Sequence, residues 1–137
     1  MTPPDGFAVL DTTTGPDTLA QIQNTLDQVW ASAEVPERVQ MHMDLAASEV
    51  GANIVEHAGD GTAVHLRMEV HLLPDAVRTV FTDQGHPAPV DLSQVQMPDE
   101  MAERGRGLAI AVRVLDELSY RRDHEGNHWT LVRRLQD

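Results

Sequence analysis

The chain has no cysteine. Disulfide frameworks, zinc-finger spacings and thiol chemistry are therefore excluded, and the absence suits a reducing cytoplasm, where we expect the protein to reside. Aromatic residues make up only 4% of it, and Trp30 and Trp129 read as core or interface residues rather than a base-stacking platform. No apolar run approaches the ~20 residues of a membrane helix. The opening Met1-Thr2-Pro3-Pro4-Asp5-Gly6 has neither the basic cluster nor the apolar stretch of a secretion signal. Positive charge is scarce as well. Ten basic residues face 22 acidic ones, for a net charge of −12. So acidic a surface repels DNA, RNA and anionic lipid, so no direct nucleic-acid or membrane partner is expected. The charge serves solubility, or it forms an acidic face that docks a basic protein. No Gly-x-Ser-x-Gly, Walker loop or Gly-x-Gly-x-x-Gly is present.

What remains is enough for one globular domain spanning 1–137, since 41% of the 137 residues are apolar and the length fits a single core. Residues 7–13 read as a strand. Pro16 opens a helix whose stripe is Leu19, Ile22, Leu26, Val29 and Trp30, and Val35-Pro36 breaks it. A second helix runs from about Pro36 to Ala58 on Val39, Met43, Ala46, Ala47, Val50 and Ile54, and Gly59-Asp60-Gly61 stops it. From Ala63 to Leu73 the chain alternates, with Val64, Leu66, Met68, Val70 and Leu72 on one side and His65, Arg67, Glu69 and His71 on the other, which marks a half-buried strand. Pro74-Asp75 turns it back into a strand over Val77–Asp83.

Residues 84–104 form a long loop with Pro87, Pro89 and Pro98, of a length that is usually functional. A third helix follows over Gly107–Leu118, buried through Leu108, Ala111, Val112, Leu115 and Leu118. A hairpin of Ser119–Asp123 and His128–Leu135 turns around Glu125-Gly126-Asn127. The order β-α-α-β-β-loop-α-β-β predicts an α+β fold: a two-layer α/β sandwich with a mixed, mostly antiparallel sheet and helices on one face.

Three segments carry chemistry. Glu49, Asn53 and His57 recur every four residues, so they drift only about 40° per step around the helix and make a polar stripe beside Val50 and Ile54. An amide oxygen such as that of Asn53 can ligate Mg²⁺, which keeps water and phosphate for its other positions. Glu49, one turn earlier, can take a proton from an attacking hydroxyl. The same stripe also describes a solvated helix face. Asp83-Gln84-Gly85 ends a strand. Its carboxylate can accept from the amine of adenine and Gly85 lets a base approach the backbone, although Asp and Gly also make plain turns. Arg104-Gly105-Arg106-Gly107 precedes a helix, where glycine-freed amides and the helix terminus attract an anion and arginines suit phosphate; a flexible loop with solvated arginines is the other reading. His65 with His71, and His124 with His128, suggest either a transition-metal site or scattered exposed histidines.

Together these segments resemble the Bergerat-fold (GHKL) ATPases, the group of gyrase, histidine kinases, heat-shock chaperones and mismatch-repair proteins. Glu49-Val-Gly-Ala-Asn53-Ile-Val-Glu-His57-Ala58 resembles their asparagine box, Asp83-Gln84-Gly85 the first glycine box, and Arg104-Gly105-Arg106-Gly107-Leu108 the second. With its small size and the ending Tyr120…Gly126-Asn127-His-Trp-Thr130-Leu-Val, the whole chain is similar to the bacterial anti-sigma-factor serine kinases of the RsbW type. The resemblance implies ATP and Mg²⁺ as cofactors. It makes Glu49 the catalytic base and Asn53 the Mg²⁺ ligand. It puts Asp83 on the adenine amine with Thr130 assisting near the base, and Gly105 and Gly107 on phosphates with Arg104 and Arg106 nearby. His57 touches phosphate or closes the helix. It also implies a sigma factor and a STAS-domain antagonist phosphorylated on serine as partners, a homodimer, and a role in partner switching. Pro87 departs from the pattern, standing after His86 where the first glycine box has a second glycine. A rigid residue there tightens the lid or weakens nucleotide binding, which leaves a non-catalytic binding module of the same fold as the alternative.

Overall fold

A computed structural model of the chain describes residues 6–58, 62–87 and 103–136, except for the side chains of His57 and of residues 103–107. The elements in order are β1 (Phe7–Thr13), α1 (Thr18–Ser32), α2 (Glu37–His57), β2 (His65–Leu72), β3 (Ala76–Asp83), α3 (Glu103–Val114), β4 (Glu117–Asp123) and β5 (Gly126–Arg134). They form one five-stranded sheet in the order β1-β2-β3-β5-β4. Every pairing in it is antiparallel, so the sheet is not the mixed one the element order suggests. No described helix is long and apolar enough to cross a membrane. The expected helix stop at Gly59-Asp60-Gly61 and most of the long loop, residues 88–102, lie outside the described residues.

The two-residue period of the strands sorts the sheet into two faces. Leu66, Met68 and Val70 of β2, Val77 and Phe81 of β3, and Trp129 and Leu131 of β5 are buried on one face. They meet Ile22, Leu26 and Val29 of α1 and the Val39–Ile54 stripe of α2 in a single core. The other face carries His65, Arg67, Glu69 and His71, none of them buried. Two expected core residues differ. Leu19 is 42% exposed and Trp30 is half-buried, its Nε1 donating to Asp44 Oδ1 at 2.9 Å.

The third helix shows the largest shift. It begins at Glu103 and ends at Val114, four residues earlier at each end than the spacing predicts. The two glycines disfavour helix by only about 1 kcal/mol each, and packing of α3 against α2, with Leu108, Ala109 and Ala111 buried, offsets that. Its end is set by the sheet: Leu115 N–H still bonds Ala111 O, but Asp116 N–H turns away to Val132 O at 2.8 Å. Leu118 then pairs with Leu131 as a strand residue. Val112 is exposed, because it lies about 100° around the helix from Ala111. Each strand of the last hairpin starts two residues before its expected position, so His124 and Glu125 alone make the turn. Gly126 sits at φ +123°, and a Cβ there would lie 2.2 Å from the Asp83 carbonyl oxygen, so glycine is what lets β5 begin against the end of β3.

Candidate functional site

Asp83 ends β3 facing the helices, with 1% of its surface exposed. Its Oδ1 accepts the Gly85 backbone N–H and the Asn127 side-chain amide, both at 2.9 Å. Its Oδ2 is buried and has no hydrogen-bond partner in the chain. A buried acceptor left unpaired costs roughly 1–3 kcal/mol, and such a group in a native structure calls for an explanation, a bound ligand among them.

Asn127 stands directly opposite Asp83 across the β3–β5 ladder, so both side chains rise on the same face. Its amide nitrogen donates to Asp83 Oδ1 and to His86 O at 2.7 Å. Its oxygen accepts from the Tyr120 hydroxyl and from Arg122 Nη1 at 3.0 Å. Arg122 Nη1 also donates to Gly85 O at 2.9 Å. None of these three residues is evident as a site residue from sequence, since Gly126-Asn127 reads as turn chemistry and the connection depends on strand register.

Asp83 and Asn127 line a narrow cleft together with Asn53 and Ala58 of α2, Pro87 and Trp129. It holds about 230 Å³ of empty space, open solvent included, less than the ~300–1,000 Å³ of a typical ligand pocket. Asn53 and Asp83, 30 residues apart in the chain, thus meet at one cavity. Pro87, which replaces the expected glycine, is part of its wall. Glu49 is half-buried about 6 Å further back along α2 and does not line the cleft.

The remaining expected residues divide. Arg104, Gly105, Arg106 and Gly107 lie in the opening turn of α3 rather than in a loop before it, and their side chains, like that of His57, are outside the described residues. Leu108 is 3% exposed and part of the core. Thr130 pairs with Val80, which places it on the sheet face away from Asp83, Asn127 and Trp129. Assistance to a base at Asp83 therefore has no geometric basis for Thr130; Asn127 occupies that place.

Gly85 has a packing reason for being glycine. A Cβ there would meet Ala58 O at 2.3 Å and Ala58 Cβ at 2.5 Å, and the next residue, His86, donates its N–H to the same Ala58 oxygen at 2.6 Å. The space that the sequence reading reserves for a base is filled by the end of α2. Gly85→Ala is expected to destabilise the fold by about 1–3 kcal/mol in urea denaturation, because the obstructing atoms include backbone that cannot turn aside.

The outer sheet face carries ion pairs instead of a metal cluster. His65 contacts Asp11 at 2.6 Å, His71 contacts Glu69 at 3.0 Å, and His128 contacts Asp123 at 2.8 Å. His128 is 8% exposed, so it is not one of a scatter of surface histidines. No group of three or more ligating side chains that could hold a metal occurs among the described residues. The hydrogen bond from His128, with those from Arg121 and the Glu125 amide, holds the Asp123 carboxyl far below the usual carboxylate range. Arg67, then His71, lowers Glu69, and His65, then Arg67, lowers Asp11. A carboxylate with a lowered folded-state pKa adds stability that is present in full above its unfolded value, near 4, and is lost as pH falls further through the folded value. The urea midpoint is therefore expected to stay nearly level from pH 7 to pH 5 and to drop below about pH 4. Asp123→Asn should make that acid-side decline shallower.

Comparison with known proteins agrees with this architecture. The profile of the histidine kinase-like ATPase domain matches residues 12–133. No curated protein sequence matches the chain. The fold is similar to that of the histidine kinase domain from the blue-light activated histidine kinase of Erythrobacter litoralis EL346, with a TM-score of 0.56 and 19% sequence identity over 86% of this chain. The match covers 61% of that domain structure, so the chain spans less than two thirds of it. Histidine kinase-like ATPase domains bind ATP, usually with Mg²⁺, and an unpartnered buried carboxylate oxygen beside a cleft that also holds an asparagine amide fits such a ligand. With the profile covering nearly all of its length, the chain belongs to the histidine kinase-like ATPase domain family.

Proposed function

We propose that the chain is an ATP- and Mg²⁺-dependent protein serine kinase that phosphorylates a STAS-domain anti-sigma-factor antagonist and, in its other state, sequesters a sigma factor. The observation that carries the nucleotide part is Asp83 Oδ2, a buried acceptor with no partner in the chain, on the wall of the cleft that Asn53 also lines. The adenine amine is the donor that this acceptor lacks. Asn53 would hold Mg²⁺ through its amide oxygen, and Mg²⁺ would neutralise charge on the phosphates. The amides of Gly105 and Gly107, with Arg104, Arg106 and His57, would take the phosphate end.

The chemical step assigns Glu49 as base. The serine oxygen of the antagonist bonds to the γ-phosphorus as the bond from that phosphorus to the β–γ bridging oxygen breaks. ADP leaves, and the serine proton passes to the Glu49 carboxylate. Partner choice rests on the resemblance of the whole chain to anti-sigma-factor kinases, as do the cytoplasmic location and the homodimer. Calorimetry with a non-hydrolysable ATP analogue and Mg²⁺ tests the site; absence of saturable binding would remove the basis of the reading.

Pro87 favours a second reading. A rigid ring in the cleft wall, where a glycine is expected, suits a module that sequesters its regulator and transfers nothing. Incubation with radiolabelled ATP and the cognate antagonist separates the two. A tight complex in which the antagonist never becomes labelled would establish the module.

A further inference from the structure

We infer that Asn127 is a specificity-determining positioning residue: by occupying Asp83 Oδ1, it leaves Oδ2 as the single acceptor at the cleft and so selects a purine with an amine, adenine, over one with a carbonyl, guanine. The inference rests on the nucleotide reading of the cleft. It concerns what makes the carboxylate selective, not the carboxylate itself.

An asparagine amide has two N–H donors and an oxygen with two acceptor positions. All four are used here. The donors go to Asp83 Oδ1 and His86 O, and the acceptor positions receive the Tyr120 hydroxyl and Arg122 Nη1. The opposite orientation of the amide would set its oxygen against a carboxylate and a carbonyl, and its NH₂ against two donors. The orientation is therefore fixed by chemistry. Tyr120 is itself held in place by its ring, which lies 4.7 Å from that of Trp129. Arg122 ties the same assembly to the loop after β3 through Gly85 O.

The consequence falls on Asp83. Its Oδ1 already has two donors, the Gly85 N–H and the Asn127 amide, whereas Oδ2 has none. The carboxylate cannot rotate to present a different edge without breaking both bonds. A base with an N–H at this place completes the set. Guanine presents its O6 acceptor there instead and would leave two buried oxygens facing each other. Sites built to bond a substrate N–H discriminate strongly for that reason.

The test is competition of ATP and of GTP, each with Mg²⁺, against a fluorescent ADP analogue on the intact chain. The wild type is expected to prefer ATP by at least ~100-fold. Asn127→Asp replaces the donor facing Asp83 by an acceptor and keeps the shape; it should shrink the ATP-to-GTP ratio at least ~10-fold. Tyr120→Phe keeps the ring on Trp129 but frees the amide oxygen, and should shrink the ratio by about 3-fold, the loss of part of one hydrogen bond. It carries the test if Asn127→Asp does not fold. A wild type that prefers ATP, with variants that lose affinity for both nucleotides in parallel at an unchanged ratio, would make Asn127 merely structural and overturn the inference while leaving the ATP site intact. A wild type that binds ATP and GTP equally would overturn it too. A wild type that binds neither overturns the nucleotide reading itself.

Discussion

Asp83→Asn is expected to lower affinity for an ATP analogue at least ~100-fold, while the midpoint of thermal unfolding moves little. A hydrogen bond to a charged group is worth about 1.5–3 kcal/mol, which alone is roughly a 10- to 150-fold effect. The isosteric amide does more than remove charge. Turned to keep its oxygen on Gly85 N–H and Asn127, it points an NH₂ at the cleft, donor against the adenine donor. Turned the other way, it sets its NH₂ against two protein donors. The chain stays folded in the first orientation, so binding is lost and stability is not. Calorimetry and thermal melts on the same preparation check both halves. Binding retained within a few-fold would mean that Asp83 does not read the base.

Glu49→Ala is expected to slow phosphoryl transfer to the antagonist by about 10²–10⁴-fold with ATP affinity almost unchanged. The separation of effects follows from position. Glu49 is on the same helix as Asn53 but does not line the cleft, so removing it leaves the nucleotide contacts in place and takes away only the proton acceptor. Single-turnover transfer of label, with calorimetry alongside, gives the two numbers. Normal transfer by the variant would exclude Glu49 as the base, and equal loss of binding and transfer would make it a structural residue of α2.

The parts of the fold legible in the sequence are those governed by local period. The alternation of Leu66, Met68 and Val70 and the spacing of Val39, Met43, Val50 and Ile54 depend only on neighbours in the chain, and both elements lie where the pattern puts them. The ends of α3 are not legible. Gly105 and Gly107 look like loop, yet the helix continues through them, and Leu118 keeps helical spacing although its partner is Leu131, 13 residues away in the hairpin. At the site, Asp83 and Asn53 are recognisable by residue type and spacing. Asn127 is not, because its meaning comes from register with β3, and Thr130 is misplaced for the same reason: three residues along a strand reverse the face. Gly85 is recognised as necessary but for another cause, since Ala58 fills the room beside it.

The contact between Ala58 and the Gly85-His86 backbone has a mechanical side. It welds the far end of the helix bearing Asn53 to the turn bearing Asp83, through a main-chain hydrogen bond and a gap too small for a methyl group. These two walls of the cleft must therefore travel as one rigid body. Any widening to admit a nucleotide has to come from the other walls, and damage at position 58 would be felt as blurred recognition of the base 25 residues further on.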